Sequence, residues 1–455
     1  MATHDRGETG SSSIRRVALA SAIGSTVEWY DYFIYASAAA LVFGPAFFPE
    51  YDVAAGTFAA FATLALGFFV RPIGAAVFGH LGDRIGRKRV LILTLLLMGT
   101  ATVGIGLLPT YAALGIAAPI LLSTLRLIQG FAISGEWGGA VLMSVEHAPK
   151  GKRGYYGSWP QVGLPVGTVL ANGVLIVMTT TLTDEQFFSW GWRVPFLLSA
   201  VLVAIGLYIR LAVDESPSFA RMKGAGVAVR VPLVEVLRTK PVTLVLGSLA
   251  VVSSSAVGWI GLAFTLSYGT QQLNVDRGAL LTGVLLGAAL GGVSLLAASA
   301  YSDRVGRRKV FLAAAGGQII WAFPYFWLIN TASVPLILLA LCVMQAVTFP
   351  MVGVLGAMLA EAFPATVRYT GASLCYHTGS VLGGAIAPMV ATAIIAATGS
   401  TTLISVYIVG VAIVSAGAVI LLRETAQEHL DKEDVKGSNP SSRPISAVAP
   451  ENQLS

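Results

Sequence analysis

The sequence predicts an all-α membrane protein, with twelve transmembrane helices in two pseudo-symmetric six-helix bundles. Three observations predict it. Only 11 % of the 455 residues are charged, against about 25 % in an ordinary soluble domain, and the mean hydropathy is +0.75. Val90 to Leu125, Val242 to Val275 and Val310 to Ala360 contain no Asp, Glu, Lys, Arg or His. A charged loop motif in the first half recurs in the second. The composition excludes a soluble cytosolic enzyme, a disordered protein and a disulfide-stapled secreted domain. Long apolar blocks also exclude a β-barrel, whose strands alternate polar and apolar. Cys342 and Cys375 both lie inside apolar runs, so neither a redox role nor a metal site is expected.

A spanning helix needs about 20 apolar residues. Turn signals such as Pro109-Thr110 and Asn330-Thr331 divide the longer stretches. The predicted helices lie near 17–43, 56–78, 90–108, 117–145, 157–178, 194–213, 243–266, 279–300, 310–329, 334–360, 371–397 and 402–422. The expected organisation is a tail at 1–16, an N-terminal bundle at 17–213, a linker at 214–241, a C-terminal bundle at 242–422 and a tail at 423–455.

With the N-terminus in the cytoplasm, 25 of the 29 Lys and Arg residues fall in tails and loops on that side. Arg193 and Arg277 face outward, and Arg71 and Arg126 lie within the membrane. This asymmetry sets the orientation by the positive-inside rule. The net charge of +6 is therefore a topology signal, and no nucleic-acid partner is expected. The first apolar run carries Glu28 and Asp31, which disfavours a cleaved signal peptide despite the small residues at 36–40. The segment after Arg423 is charged and Ser/Pro-rich without apolar heptads, and reads as disordered.

Gly79-x-x-x-Asp83-Arg84-x-Gly86-Arg87-Lys88-Arg89 recurs as Ser299-x-x-x-Asp303-Arg304-x-Gly306-Arg307-Arg308-Lys309, an offset of 220. Glu146-x-x-Pro149-x-x-x-Arg153 recurs as Glu361-x-x-Pro364-x-x-x-Arg368, an offset of 215. Two parallel halves with a site between them form a transporter architecture. The loop motif resembles the signature loop of the major facilitator superfamily. Glu28-Trp29-Tyr30-Asp31-Tyr32, Phe69-Val70-Arg71-Pro72-Ile73-Gly74, Arg126-x-x-Gln129-Gly130, Gly135-Glu136-Trp137-Gly138-Gly139, Thr183-Asp184-Glu185-Gln186 and the string from Ser189 to Phe196 are similar to its metabolite:proton symporter branch, above all to shikimate-type transporters. The second loop copy departs from the pattern at Ser299. The resemblance implies the major facilitator fold in a bacterial-type inner membrane. It also implies a secondary transporter driven by the proton gradient, with no cofactor. Known members of the branch carry shikimate, α-ketoglutarate, citrate, aromatic acids, or proline and betaine.

Charges inside a bilayer are expensive and mark function. Glu28, Asp31 and Glu136 are the candidate proton sites, with Asp31 first. Glu28 and Asp31 share one helix face at i,i+3, and two desolvated carboxylates so close do not both ionise easily. The competing reading pairs one of them permanently with Arg71 or Arg126. Arg126 is the first candidate for a substrate carboxylate, since a guanidinium binds carboxylates bidentately. Its alternative partner on the same helix, Glu136, lies about 15 Å along the axis. Arg71 ranks second, because gate pairing or snorkelling competes there. Gln161, Tyr32, Tyr35, Tyr268, Tyr376 and His377 are further binding candidates. Tyrosine packing and a satisfied buried histidine are the alternatives.

Asp83 and Asp303 sit where a carboxylate can cap helix N–H groups. With Arg84, Arg87, Arg89, Arg153, Glu146, Arg307, Lys309, Glu361 and Arg368 they form a candidate cytoplasmic gate. A purely topological role for these cations competes. The expected function is proton-coupled import of a small organic acid anion, such as shikimate or a related hydroxy or keto acid, by a monomer. A proline/betaine-type osmoprotectant symporter and an exporter of the same fold are the alternatives. No nucleophile–base–acid or metal-ligand pattern in the helices supports an enzyme.

Overall fold

The computed structural model describes residues 6–51, 53–224 and 232–424. Among these residues the chain is helical, with no strand. Residues 1–5, 225–231 and 425–455, which belong to the expected tails and linker, lie outside the described residues.

The first helix, α1 (Arg6–Ala38), begins inside the segment that the sequence assigns to a tail. It continues through a π-turn at Ala39–Phe43. Among the described residues, eleven helices after it are long and apolar enough to cross a membrane. They are α2 (Phe58–Ile85), α3 (Arg87–Leu107), α4 (Ala117–His147), α5 (Arg153–Thr181), α6 (Gly191–Leu211), α7 (Pro241–Gln271), α8 (Gly278–Val305), α9 (Arg307–Ile329), α10 (Val334–Glu361), α11 (Arg368–Thr398) and α12 (Thr402–Leu421). Glu28 and Asp31 make α1 the least apolar of the twelve.

Backbone irregularities follow local chemistry. α2 is interrupted at Val70, between Phe69 and Arg71. Pro72 has no N–H to donate to the preceding turn, and its fixed φ suits the start of a new helical segment. α7 carries a π-turn at Ile260–Phe264, the counterpart of the one in α1, and α11 carries another at Val381–Ala385. Such turns concentrate at functional sites. α3 and α9 start directly after Gly86 (φ 110°) and Gly306 (φ 102°). Only glycine adopts that conformation without strain, which explains Gly86 and Gly306 of the two loop motifs.

Within the first six helices α1 packs on α4, α5 and α6, and α3 on α4 and α6. Within the last six α7 packs on α11 and α12, and α10 on α8 and α9. The two sets meet where α2 and α4 touch α11, and where α5 touches α8 and α10. At the end carrying the basic loops, one apolar cluster is shared by both sets. It joins Phe78, Trp137 and Val141 to Phe311, Val354, Phe363 and Tyr369. At the far end the fully buried residues form separate clusters. One centres on Phe43, Phe47, Trp192 and Phe196, the other on Phe264, Tyr325, Phe326 and Ile329. The basic end is therefore shut by continuous packing.

Candidate functional site

A cavity of about 100 Å³ lies between the two sets of helices. α1, α2 and α5 contribute Trp29, Phe33, Phe68, Arg71, Gln161 and Thr168. α7, α8, α10 and α11 contribute Ser254, Ser255, Trp259, Ala288, Gln345, Thr348, Phe349, Tyr376 and Ser380. Arg71 is the one charged side chain on this wall. The break before Pro72 delivers it there. Its guanidinium stacks on Phe68 at 4.2 Å and reaches Tyr32 at 5.8 Å. Its Nε has no hydrogen-bond partner, and it takes part in none of the ion pairs among the described residues. Gln161 Nε2 and Gln345 Oε1 are likewise buried without partners. Tyr376 lies flat on Trp137, with ring centroids 3.7 Å apart and planes 5° from parallel. Trp259 meets Tyr32 at 5.2 Å and Phe68 at 5.6 Å, both edge-on, bridging the two halves.

Arg126 and Asp31 stand behind this wall. Both are completely buried, and neither lines the cavity. Arg126 stacks on Tyr35 at 4.3 Å and on Tyr32 at 5.3 Å. It donates to Gln129 Oε1 at 2.5 Å, leaving Nε and one terminal nitrogen without partners. Gln129 donates to Thr102 Oγ1 at 2.8 Å. Thr102 donates to Asp31 at 2.7 Å, and Ser199 at 2.5 Å. One polar chain thus runs through α4, α3, α1 and α6. Gly67 permits the close approach of α2, because a Cβ there would come within 2.9 Å of Arg126 Nε.

Glu136 is 1 % exposed and forms an ion pair with Arg210 on α6. Arg210 also donates to the Leu91 carbonyl at 2.8 Å. Glu28, 7 % exposed, takes neither a hydrogen bond nor an ion pair among the described residues. Arg126, ranked first for the substrate carboxylate, thus stands behind the wall, and Arg71, ranked second, is on it. Tyr32 and Tyr35 cover Arg126, whereas the Pro72 break presents Arg71. Tyr35 bonds Thr63 at 2.6 Å and Tyr268 donates to Asn330 at 3.0 Å; neither lines the cavity. His377 is buried one position behind Tyr376, edge-on to it at 5.3 Å.

At the basic end the repeated motifs cross the two halves. Asp83 accepts from Tyr369 N at 3.2 Å, Thr370 N at 3.0 Å and Thr370 Oγ1 at 2.9 Å. Asp303 accepts from Gly154 N at 2.8 Å and Tyr155 N at 3.0 Å. Each aspartate therefore caps the first turn of a helix in the opposite half, where N–H groups lack intrahelical partners. Arg87, fully buried, lies 3.7 Å from Asp83 and 3.6 Å from Glu146. Arg368 donates to Glu146 at 3.1 Å. Arg307 lies 2.7 Å from Asp303 and 3.2 Å from Glu361. Arg153, half-buried, begins the turn that Asp303 caps.

Arg84, Arg89 and Lys309 are exposed and stand outside these pairs. Residues two apart project from different faces of a helix, so Arg87 and Arg89 do not share a target. Ser299 is accommodated because its neighbours Gly154 and Gly353 lack side chains. At Gly79, by contrast, a Cβ would meet the Thr370 Cα at 2.6 Å.

Sequence reasoning missed Arg210, counted as a loop cation, and two carboxylates beyond the motifs. Glu215 accepts from Arg87 N and Lys88 N at 3.1 and 3.3 Å. Glu424 accepts from Arg307 N and Arg308 N at 3.3 and 2.9 Å. They cap α3 and α9, which have no side-chain cap of their own. The available signal was a Glu-Ser/Thr pair repeated after α6 and α12.

The family profile of the Major Facilitator Superfamily matches residues 21–374. The chain belongs to the major facilitator superfamily. Its curated relatives include the shikimate transporter of Escherichia coli K12, 40 % identical over 92 % of this chain and 97 % of that one. The inner membrane metabolite transport protein YhjE of the same organism is 40 % identical over 94 % and 98 %. The proline/betaine transporter of E. coli K12 is more distant, 31 % identical over 95 % and 87 %. Among solved structures, the proton:xylose symporter XylE bound to 6-bromo-6-deoxy-D-glucose superposes with a TM-score of 0.78 at 16 % identity, covering 94 % of this chain and 99 % of that one. The inward-open form of XylE from E. coli gives 0.62 at 16 %, covering 93 % and 99 %. The protein is a multi-pass membrane transporter of small metabolites.

Proposed function

We propose that this transporter is a proton-coupled symporter that imports a small organic acid anion by alternating access, with the basic end in the cytoplasm. The observation that carries the reading is Arg71, the one charged side chain lining the interfacial cavity, which takes part in none of the ion pairs among the described residues. A buried guanidinium outside any ion pair among the described residues attracts a carboxylate, and Gln161 Nε2 and Gln345 Oε1, both buried without partners, offer hydrogen bonds to other polar groups of the same molecule. Aromatic and aliphatic side chains cover the rest of the wall, which suits the carbon skeleton of a small acid. The relative named for shikimate transport supports this substrate class.

Glu28, Asp31 and Glu136 stand within the same half as Arg71 and supply the candidate proton sites. One proton per monoanion makes the cargo neutral, which lowers the cost of moving it through an apolar barrier. The cation asymmetry of the loops supports the orientation. The ion pairs and helix caps at the basic end then act as the cytoplasmic gate, closed in this conformation. They break when the carrier opens inward.

A second reading has its own observation. Trp29, Phe33, Phe68, Trp259 and Phe349 surround the cavity, and aromatic faces recognise quaternary ammonium groups. With Arg71 for the carboxylate, such a wall also suits a betaine, as the proline/betaine relatives suggest.

The test is uptake into proteoliposomes from a panel of shikimate, a keto acid, citrate and glycine betaine. Organic acid accumulation should rise with an inward proton gradient and collapse with a protonophore. Uptake that is unchanged when the gradient is removed would rule out symport. Uptake of betaine alone would select the second reading.

A further inference from the structure

An open groove of about 610 Å³ runs between α8, α9 and α10 in the second half, away from the interfacial cavity. Ala298 from α8, Ala313 from α9, and Ala346 and Pro350 from α10 line it. Tyr301, 58 % exposed, and Lys309, in the first turn of α9, line it toward the basic end. Ala313 and Lys309 are exposed as well. All three helices are membrane spans, so an open groove between them faces lipid.

The first half closes the corresponding wedge with its own side chains. At the repeat offsets of 220 and 215, Ala298, Ala313 and Ala346 correspond to Phe78, Leu93 and Phe131. Phe78 is 2 % exposed and meets Phe131 with ring centroids 4.8 Å apart. The contacts agree with this register. Gly135, the counterpart of Pro350, lies against Phe78, as Pro350 shares the groove with Ala298. Three large side chains are thus replaced by three methyl groups. The space left over lies where the bilayer holds no water to fill it. An apolar void forfeits the dispersion contacts of its lining, and a hydrocarbon chain, as apolar as the leucine it replaces, restores them.

Charge selects the other end of the occupant. Among the described residues no carboxylate lines the groove. The carboxylates of that end are engaged elsewhere. Asp303 binds Gly154 N, Tyr155 N and Arg307, Glu361 binds Arg307, and Glu424 binds Arg307 N and Arg308 N. Lys309 takes part in none of the ion pairs among the described residues. Its aliphatic stem can follow the apolar lining while the ammonium stays at the membrane surface. A basic pocket between membrane helices suits an anionic headgroup. The chain after Arg423 is charged and Ser/Pro-rich, a composition that does not suit an apolar groove.

We propose that the groove between α8, α9 and α10 binds one phospholipid with an anionic headgroup, its acyl chain over Ala298, Ala313 and Ala346 and its headgroup on Lys309. The site is independent of the transport reading.

Photo-crosslinking in phosphatidylcholine nanodiscs tests this. The probe is phosphatidylglycerol with a diazirine in one acyl chain, compared with phosphatidylcholine carrying the same chain at the same low fraction. Labelling should concentrate on the groove faces of α8, α9 and α10 and spare the filled wedge of α2, α3 and α4. Phosphatidylglycerol should label the groove about fivefold more than phosphatidylcholine, the scale of one cation near a membrane surface. Lys309→Gln should bring the two probes to equal labelling and leave the chain in place. Ala298→Phe with Ala346→Phe, which rebuilds the ring pair of the first half, should abolish labelling of the groove by both probes. Ala313→Leu, a single change at an exposed position, should reduce it and keeps the test open where the ring pair unfolds the protein. Labelling spread evenly over the lipid-facing helices overturns the proposal. So does equal labelling by the two probes in the wild type, groove labelling that survives both filling variants, or a crosslink between two copies of the chain at this face.

Discussion

The two halves of the molecule build the same buried polar chain from corresponding helices, but only one of them charges it. In the first half, Asp31 on α1 is held by Thr102 on α3 and Ser199 on α6, and the chain continues through Gln129 to Arg126 on α4. In the second half Ser253 on α7 donates to Gln318 on α9 at 2.6 Å, and Gln318 donates to Thr348 on α10 at 3.0 Å. Ser415 on α12 accepts from Ser253 N at 3.0 Å. A serine thus stands where the first half has an aspartate, and no guanidinium terminates the second chain. Both chains tie four helices together, so holding a bundle does not require charge. The charged version in the first half is a costly arrangement in a bilayer. Its charged ends stand behind the wall that carries Arg71, which is also in the first half.

The sharpest way to break this asymmetry is at Arg71. Arg71→Ala should weaken organic anion binding by about 100-fold or more, the scale for removing one partner of a desolvated charge pair. Gln345→Ala, on the opposite wall, should cost no more than about tenfold, the range of a neutral hydrogen bond. Binding measured by calorimetry or by quenching of Trp29 and Trp259 fluorescence compares the two. Equal effects would mean that both halves recognise the substrate alike.

The next contrast lies in stability. Asp31→Asn should destabilise the protein by about 2–4 kcal/mol, since it leaves Arg126 buried without a nearby countercharge. Ser253→Ala should cost only about 1 kcal/mol. Thermal unfolding in detergent reads both. A larger loss for Ser253→Ala would mean that the neutral chain, rather than the charged one, is the more strongly coupled.

The gate offers a smaller difference. Asp83 makes three hydrogen bonds to the start of α11, and Asp303 makes two to the start of α5. Asp83→Asn should therefore open the basic end more readily than Asp303→Asn, read as longer spin-label distances across that end. Smallest of all, Glu215→Gln and Glu424→Gln should each cost about 0.5–1 kcal/mol, the range of a helix cap. Their near equality would reflect the repeat.

The fold was legible because its signals are local. Apolar runs, turn residues and duplicated loop motifs give twelve helices without any knowledge of tertiary contacts. The buried charges were legible for the same reason, since any ionisable residue inside an apolar run is conspicuous. What the sequence did not reveal was azimuth and partner. Arg126 and Arg71 are equally conspicuous in the chain, but which of them faces the cavity depends on two tyrosines of α1 and on the break before Pro72. Glu136 and Arg210 are 74 residues apart, and no periodicity connects them. Arg87 and Arg89 look interchangeable in the motif, yet one is fully buried and the other exposed. Glu215 and Glu424 act by accepting from backbone N–H groups, and backbone donors leave no mark in a sequence.

Charge movement per turnover tests the account most directly. Substrate-driven currents and uptake should be measured in proteoliposomes with the pH gradient and the membrane potential imposed separately. Symport of one proton with each monoanion predicts that a monocarboxylate is accumulated by the pH gradient alone, with no net current and no response to potential. Accumulation driven by membrane potential in the absence of a pH gradient would contradict it.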